Sequence, residues 1–122
     1  MTRSQRNTLL IIISSLLLGI LFWLIVPEIV LEEQILYQTR QILDRSDSVE
    51  FAKDQSSYDY LKKHPQLYLV DVTDAQGSNG NESYHVGTLK NGSSLGIYVH
   101  HDHPNIPFSK ITIRNIKVWN RS

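Results

Sequence analysis

The apolar positions fall into two patterns. From Thr8 to Val26 the chain carries no charge and is dominated by Leu and Ile, and at about 1.5 Å per residue such a run approaches the ~30 Å hydrocarbon thickness of a bilayer. It reads as a membrane anchor running from Leu9 through Ser15 and Gly19 to Trp23, whose indole stands where such rings prefer the interface. Pro27 and Glu28 are expected to close it. Beyond them the period becomes that of an amphipathic helix: Ile29, Leu36 and Leu43 form one row and Leu31, Ile35 and Ile42 an adjacent one, with Glu32 and Thr39 between them. The expected division is a cytoplasmic tail over 1–7, the anchor over 8–27, a juxtamembrane helix over 28–47 and an extracytoplasmic α+β domain over 48–122.

Asp44–Ser48 is a polar break, and Ser56-x-x-Asp59 has the form of a capping box opening a short helix that Pro65 ends near His64. Leu67–Thr73 reads as a strand and Asp74–Asn81 as an exposed loop. Asn91-Gly92 predicts a two-residue type I′ hairpin. In that register Thr88 faces Leu95, Val86 faces Ile97 and Tyr84 faces Val99, so Tyr84, Val86, Leu95, Ile97 and Val99 form the core face. His85, Gly87, Leu89, Ser94, Gly96, Tyr98 and His100 form an open one on which two glycines leave room. The last run, Phe108–Asn120, alternates through Ile111 and Ile113 and restarts out of phase at Ile116 and Val118, predicting a bulge near Arg114-Asn115. The expected fold class is α+β: a single transmembrane helix, a juxtamembrane helix, then an antiparallel sheet of about four strands with one or two packed helices.

Composition narrows the function classes. Twelve Lys and Arg balance twelve Asp and Glu, which argues against nucleic acid as a partner, and the absence of Cys removes disulfides and thiolate chemistry. Only Arg3 and Arg6 precede the apolar run, so the part beyond it carries a net charge of −2. This asymmetry predicts a cytoplasmic N-terminus and an external C-terminal domain, in the inner (plasma) membrane with the domain in the periplasm. A cleavable signal peptide is the competing reading. The run is longer than a usual signal core, and Trp23–Pro27 offers no small-x-small cleavage site. Ser15 and Gly19 form a small-x-x-x-small pair that would let two anchors dimerise, although such pairs are common on lipid-facing helices.

The densest cluster of chemistry is His100-His101-Asp102-His103. In the type I′ register His100 is the diagonal neighbour of His85, so His85, His100, His103 and Asp102 form a candidate site for a transition metal such as zinc, copper or nickel. Bunched imidazoles also suggest a response to pH, and chance histidines at a solvated strand end are the plainer alternative. Gly92-Ser93-Ser94-Leu95-Gly96 matches G-x-S-x-G but follows a hairpin turn rather than joining strand to helix, so no nucleophile elbow is expected. Asn81, Asn91 and Asn120 each open an N-x-S sequon, a pattern that turn chemistry also explains. Asp44, Asp47, Glu50, Asp54 and Asp59 read as helix-capping acids, and Tyr58, Tyr60, Tyr68 and Tyr84 as an aromatic surface or as core.

Tyr68–Gly77, after two helices, resembles the first strand and turn of Cache-type extracytoplasmic sensor domains over that stretch alone. No binding residue is carried over from it. The functional expectation is a non-catalytic, membrane-anchored interaction module that meets a membrane-protein partner through an edge strand or the tyrosines, as an accessory, assembly or regulatory subunit. Its alternative is a metal- or small-ligand-binding, sensor-like domain using the histidine face.

Overall fold

The computed structural model describes residues 2–104 and 108–119. Helix α1 spans Arg3–Asp44, a 3₁₀ turn spans Ser48–Phe51 and α2 spans Gln55–Lys63. Strands β1 (Leu69–Asn79), β2 (Glu82–Leu89), β3 (Ser94–His101) and β4 (Ile111–Trp119) follow. They make one antiparallel sheet in the order β1-β2-β3-β4, so the expected α+β architecture is observed.

Helix α1 opens on a capping box between Thr2 and Gln5 and continues through Pro27. The sequence predicts two helices here; the structure joins them. Pro27 removes one backbone donor and frees the Trp23 carbonyl, but it does so at the end of the apolar run, where water can replace the lost bond. Leu9 to Ile25 pack on nothing in the domain, with Leu18 67% exposed. This is one helix, near the N-terminus, long and apolar enough to cross a membrane.

From Leu31 onward the same helix turns its apolar stripe onto the sheet. Ile35, Ile42 and Leu43 are buried and Leu31 and Leu36 partly so, while Arg40 donates from Nε to the Leu69 carbonyl at 2.9 Å and lies over the Tyr68 ring. Thr39 sits within the stripe, fully buried, and its hydroxyl has no hydrogen-bond partner among the described residues. Burying an unmatched hydroxyl costs free energy that a methyl of the same shape does not. Thr39→Val is therefore expected to stabilise the domain by about 1–2 kcal/mol, read as a rise in Tm, with no change in circular dichroism.

Helix α2 starts two residues earlier than the Ser56 box implies. Asp54 is its cap, its carboxylate accepting from the Ser57 N–H at 2.8 Å. The buried Ser57 hydroxyl accepts in turn from the Val118 N–H, and the Lys53 N–H donates to the Ile116 carbonyl, both at 2.9 Å. The free edge of β4 is thereby covered from Ile116 to Val118. Bonds from the Ser57 side chain and backbone, then the Lys117 and Lys53 charges, hold the Asp54 carboxyl below its ordinary value. A carboxyl depressed by folding stabilises the fold above its unfolded pKa, and that contribution is lost as pH falls through the lower, folded value. Acidification below about pH 4 is expected to lower Tm more in the parent protein than in Asp54→Asn, which keeps the cap but does not titrate.

The β2–β3 turn departs from expectation. Leu89 and Ser93 close a loop of Lys90, Asn91 and Gly92, with the Gly92 N–H donating to the Leu89 carbonyl and Gly92 at φ +89°. This is a type I turn followed by a left-handed glycine, one residue longer than a type I′ turn. Pairing moves by one: Tyr84 faces Tyr98, His85 faces Ile97 and Gly87 faces Leu95. The slip turns every β2 side chain over, so Ser83, His85, Gly87 and Leu89 face the core, and Tyr84 and Val86 face outward. Leu95, Ile97 and Val99 face the core as expected. The reason lies in β1: Leu89 pairs with Leu69, and a Cβ on Gly87 would stand 2.6 Å from Leu69 Cδ1 and 2.8 Å from the Asp71 carbonyl oxygen. With this face of β2 inward, the missing side chain of Gly87 leaves the room that Leu69 and the Asp71 carbonyl occupy.

Strand β1 runs to Asn79, through most of the expected loop Asp74–Asn81, and turns at Gly80-Asn81, with Gly80 at φ +58°. Three register shifts interrupt its pairing with β2. In β4 the predicted bulge is present: Tyr98 pairs with Asn115 and Val99 with Ile113, which leaves Arg114 extra and keeps Ile111, Ile113, Ile116 and Val118 all buried.

Candidate functional site

The register decides where the histidines go. His85 is buried on the core face, whereas His100 lies on the outer face, its Nδ1 2.8 Å from Glu82 Oε1. The pairing of His85 with His100 expected from the sequence is therefore not made. Asp102 Oδ1 is 3.9 Å from His100 Nε2, and His103 is exposed in the turn after β3. Among the described residues no three His, Cys, Asp or Glu side chains form a metal-binding group. The imidazole that does share a partner with His85 is His101: both Nε2 atoms meet the Ser83 hydroxyl, at 3.0 Å from His85 and 2.6 Å from His101. Burial, and then the neighbouring His100, hold His101 below the ordinary histidine value, with Glu82 opposing.

The outer face of the sheet carries the molecule's densest aromatic group. Tyr84 and Tyr98, paired across β2 and β3, have ring centroids 4.9 Å apart, and Trp119 meets Tyr84 edge-on at 6.1 Å. Gly96 provides the floor: a Cβ there would stand 2.8 Å from the Tyr84 hydroxyl and 2.9 Å from the Trp119 ring. The ammonium of Lys53 lies 4.3 Å from the Tyr98 centroid and that of Lys117 5.4 Å from Trp119, both within cation–π range. Burial, with Tyr98 beside it, pushes the Tyr84 phenol up. Next to the aromatics stands a charged border, where Glu82 lies between His100 and Arg114, 3.6 Å from the latter.

The sequence singled out Tyr84 but set it in the core. It placed Tyr98 and Gly96 on the open face correctly and gave Trp119 no role. Tyr60 instead stacks on His64 at 4.1 Å and bonds to Ser93 and Asn91, and Tyr68 lies beneath Arg40. The acids divide as capping and pairing groups: Asp54 caps α2, Asp47 pairs with Arg45 at 2.7 Å and Asp59 accepts from Gln55. Asn91, the second sequon, accepts from the Ser93 N–H as a turn residue; the Asn120 sequon lies outside the described residues. Ser15 and Gly19 both lie on the exposed part of α1, one turn apart.

No protein-family model, no curated protein and no solved structure matches this chain.

Proposed function

We propose that the protein is a single-pass protein of a bacterial plasma membrane, N-terminus cytoplasmic, whose external domain is a non-catalytic interaction module. It serves a membrane complex as an accessory, assembly or regulatory subunit. The observation that carries this reading is the outer face of the sheet, where Tyr84, Tyr98 and Trp119 gather over Gly96 beside the Glu82–His100–Arg114 border. Aromatic centres with polar rims are the anatomy of protein–protein contacts. The sheet edges are less apt: β4 is covered by Lys53 and Ser57, and β1 is interrupted by register shifts of the kind that discourage strand addition.

The exposed apolar half of α1 supports the anchoring, and the two arginines before it support the orientation. Packing on the sheet begins at Leu31, only a few residues beyond Val26, so one unbroken helix holds the domain about 8 Å from the end of the anchor. A domain held so near the bilayer meets neighbouring membrane proteins at high effective concentration, and a small contact face then suffices. The test is a pull-down of the full-length chain in mild detergent. Tyr84→Ser and Trp119→Ser are each expected to weaken retention of a membrane-protein partner at least about tenfold, with the domain's Tm little changed. Retention unaltered by both would overturn this face as the contact.

A further inference from the structure

We propose that the loop between α2 and β1 is a second docking surface, separate from the outer aromatic face, for an acidic peptide segment of a partner protein. The loop, residues 64–68, runs between two clefts. One, of about 920 Å³, is closed on its far side by the end of α1 and lined by Tyr58, Leu61 and Lys62. The other, of about 480 Å³, is bounded by Lys63, His64, Lys90 and Asn91. Pro65, Gln66, Leu67 and Tyr68 line both. The frame is fixed: Leu61 and Leu67 are buried, the Lys90 N–H donates to the Tyr68 carbonyl at 2.9 Å, and the Arg40 guanidinium lies 4.6 Å from the Tyr68 ring centroid. Half of the Tyr68 side chain still faces solvent.

Charge selects the occupant. The part of the chain beyond the apolar run is net acidic, yet Arg40, Lys62, Lys63 and Lys90 gather around Tyr68. Other cations are matched, Arg45 with Asp47, Arg114 with Glu82 and Lys117 with Asp54. Among the described residues none of the four around Tyr68 has a carboxylate in ion-pair contact, and the one acid lining either cleft is Asp44. Lys62 and Lys63 also complement the C-terminal dipole of α2, a role that leaves Lys90 unexplained. Ammonium groups spread over two clefts, rather than converging on one point, suit carboxylates spaced along an extended chain. The apolar floor of Leu61 and Leu67, with Tyr58 and Tyr68 beside it, suits aliphatic side chains between those carboxylates. Along α1, Asp44 lies about 27 Å beyond Val26, which sets the surface beyond the reach of lipid phosphates at the end of the proposed anchor.

The probe is a fluorescein-labelled peptide of Glu-Glu-Leu repeats, titrated into the full-length protein in nonionic detergent and followed by anisotropy, with a peptide of Lys-Lys-Leu repeats as control. Saturable binding of the Glu peptide alone is expected. It should weaken at least about tenfold in the double variant Lys63→Gln, Lys90→Gln, and likewise when salt is raised from about 0.05 M to about 0.5 M. Both lysines are exposed and the Lys90 contact to Tyr68 is made by its backbone, so circular dichroism and Tm should match the parent. Tyr84→Ser should bind as the parent does, which separates this surface from the outer face. No saturable binding by the parent, equal binding by the double variant, or equal binding of the Lys peptide would each overturn the surface. Tighter binding of short-chain phosphatidylglycerol at the same two lysines would assign it to lipid headgroups and overturn the peptide as its occupant.

Discussion

Placing arginine at both Leu17 and Leu18 is expected to move the protein from the carbonate-resistant membrane fraction to the soluble one, with its external domain still folded. These positions lie at the middle of the uncharged run from Thr8 to Val26. Each Leu, Ile, Phe or Val there favours insertion by about 0.3–0.6 kcal/mol, whereas each central arginine costs about 2.5–3.5 kcal/mol, so two arginines cancel most of what the whole run supplies. The fold should not notice, because none of this segment is buried against the domain and packing starts only near Leu31. Fractionation and the Tm of the soluble variant check both halves. A variant that stays in the membrane, or that unfolds, would contradict the separation of anchor from core along a single helix.

The second large effect tests the register. Ile97 is wholly buried at the centre of the sheet, between His85 on β2 and Ile116 on β4. Ile97→Ala is expected to cost about 2–5 kcal/mol, from lost transfer free energy and the cavity left in a close-packed layer. For a domain of this size that consumes a large share of the usual margin, and chemical denaturation should show a much lower midpoint at unchanged slope. Val86→Ala is the informative companion. In a two-residue turn Val86 would face Ile97 inside the core and its truncation would be costly. In the observed register it is a half-buried outer residue, and the loss should stay within about 0.5–1 kcal/mol. Comparable large losses in both variants would favour the shorter turn.

Where the sequence was legible, one strand or one helix contained the whole signal. The stripe from Leu31 to Leu43 and the inward residues of β3 and β4 are read correctly because alternation and helical spacing need no knowledge of neighbours, whereas Ile29, which the same spacing put in the stripe, is exposed because packing on the sheet starts only at Leu31. The bulge at Arg114 is legible for the same reason, since the phase break lies within β4 itself. The β2 register is not, because Asn91-Gly92 serves equally in a type I′ turn and in a type I turn ending on a left-handed glycine. What separates the two is long-range: Leu89 reaching Leu69, and Gly87 admitting the β1 backbone. Every placement that depended on that turn followed it. His85 moved to the core, leaving His100 to Glu82 and meeting His101 at Ser83, and Tyr84 moved outward to join Tyr98 and Trp119. Strand β1 was cut short because most of Asp74–Asn79 is polar, a pattern that edge strands tolerate on their solvent side.

The continuity of α1 through Pro27 has a mechanical consequence. A loop between the apolar half of α1 and the domain would let the outer face sample many orientations; one continuous helix couples the face to the proposed anchor. The most direct test of a membrane-anchored contact surface is a photo-crosslinking residue placed singly at Tyr98, at Trp119 and, as a control, at the exposed Tyr37 on α1, activated in intact native membranes. One dominant adduct with an integral membrane protein is expected from Tyr98 and Trp119, and none of that size from Tyr37. The same adduct from all three positions, or none from the two outer-face positions, would contradict that surface.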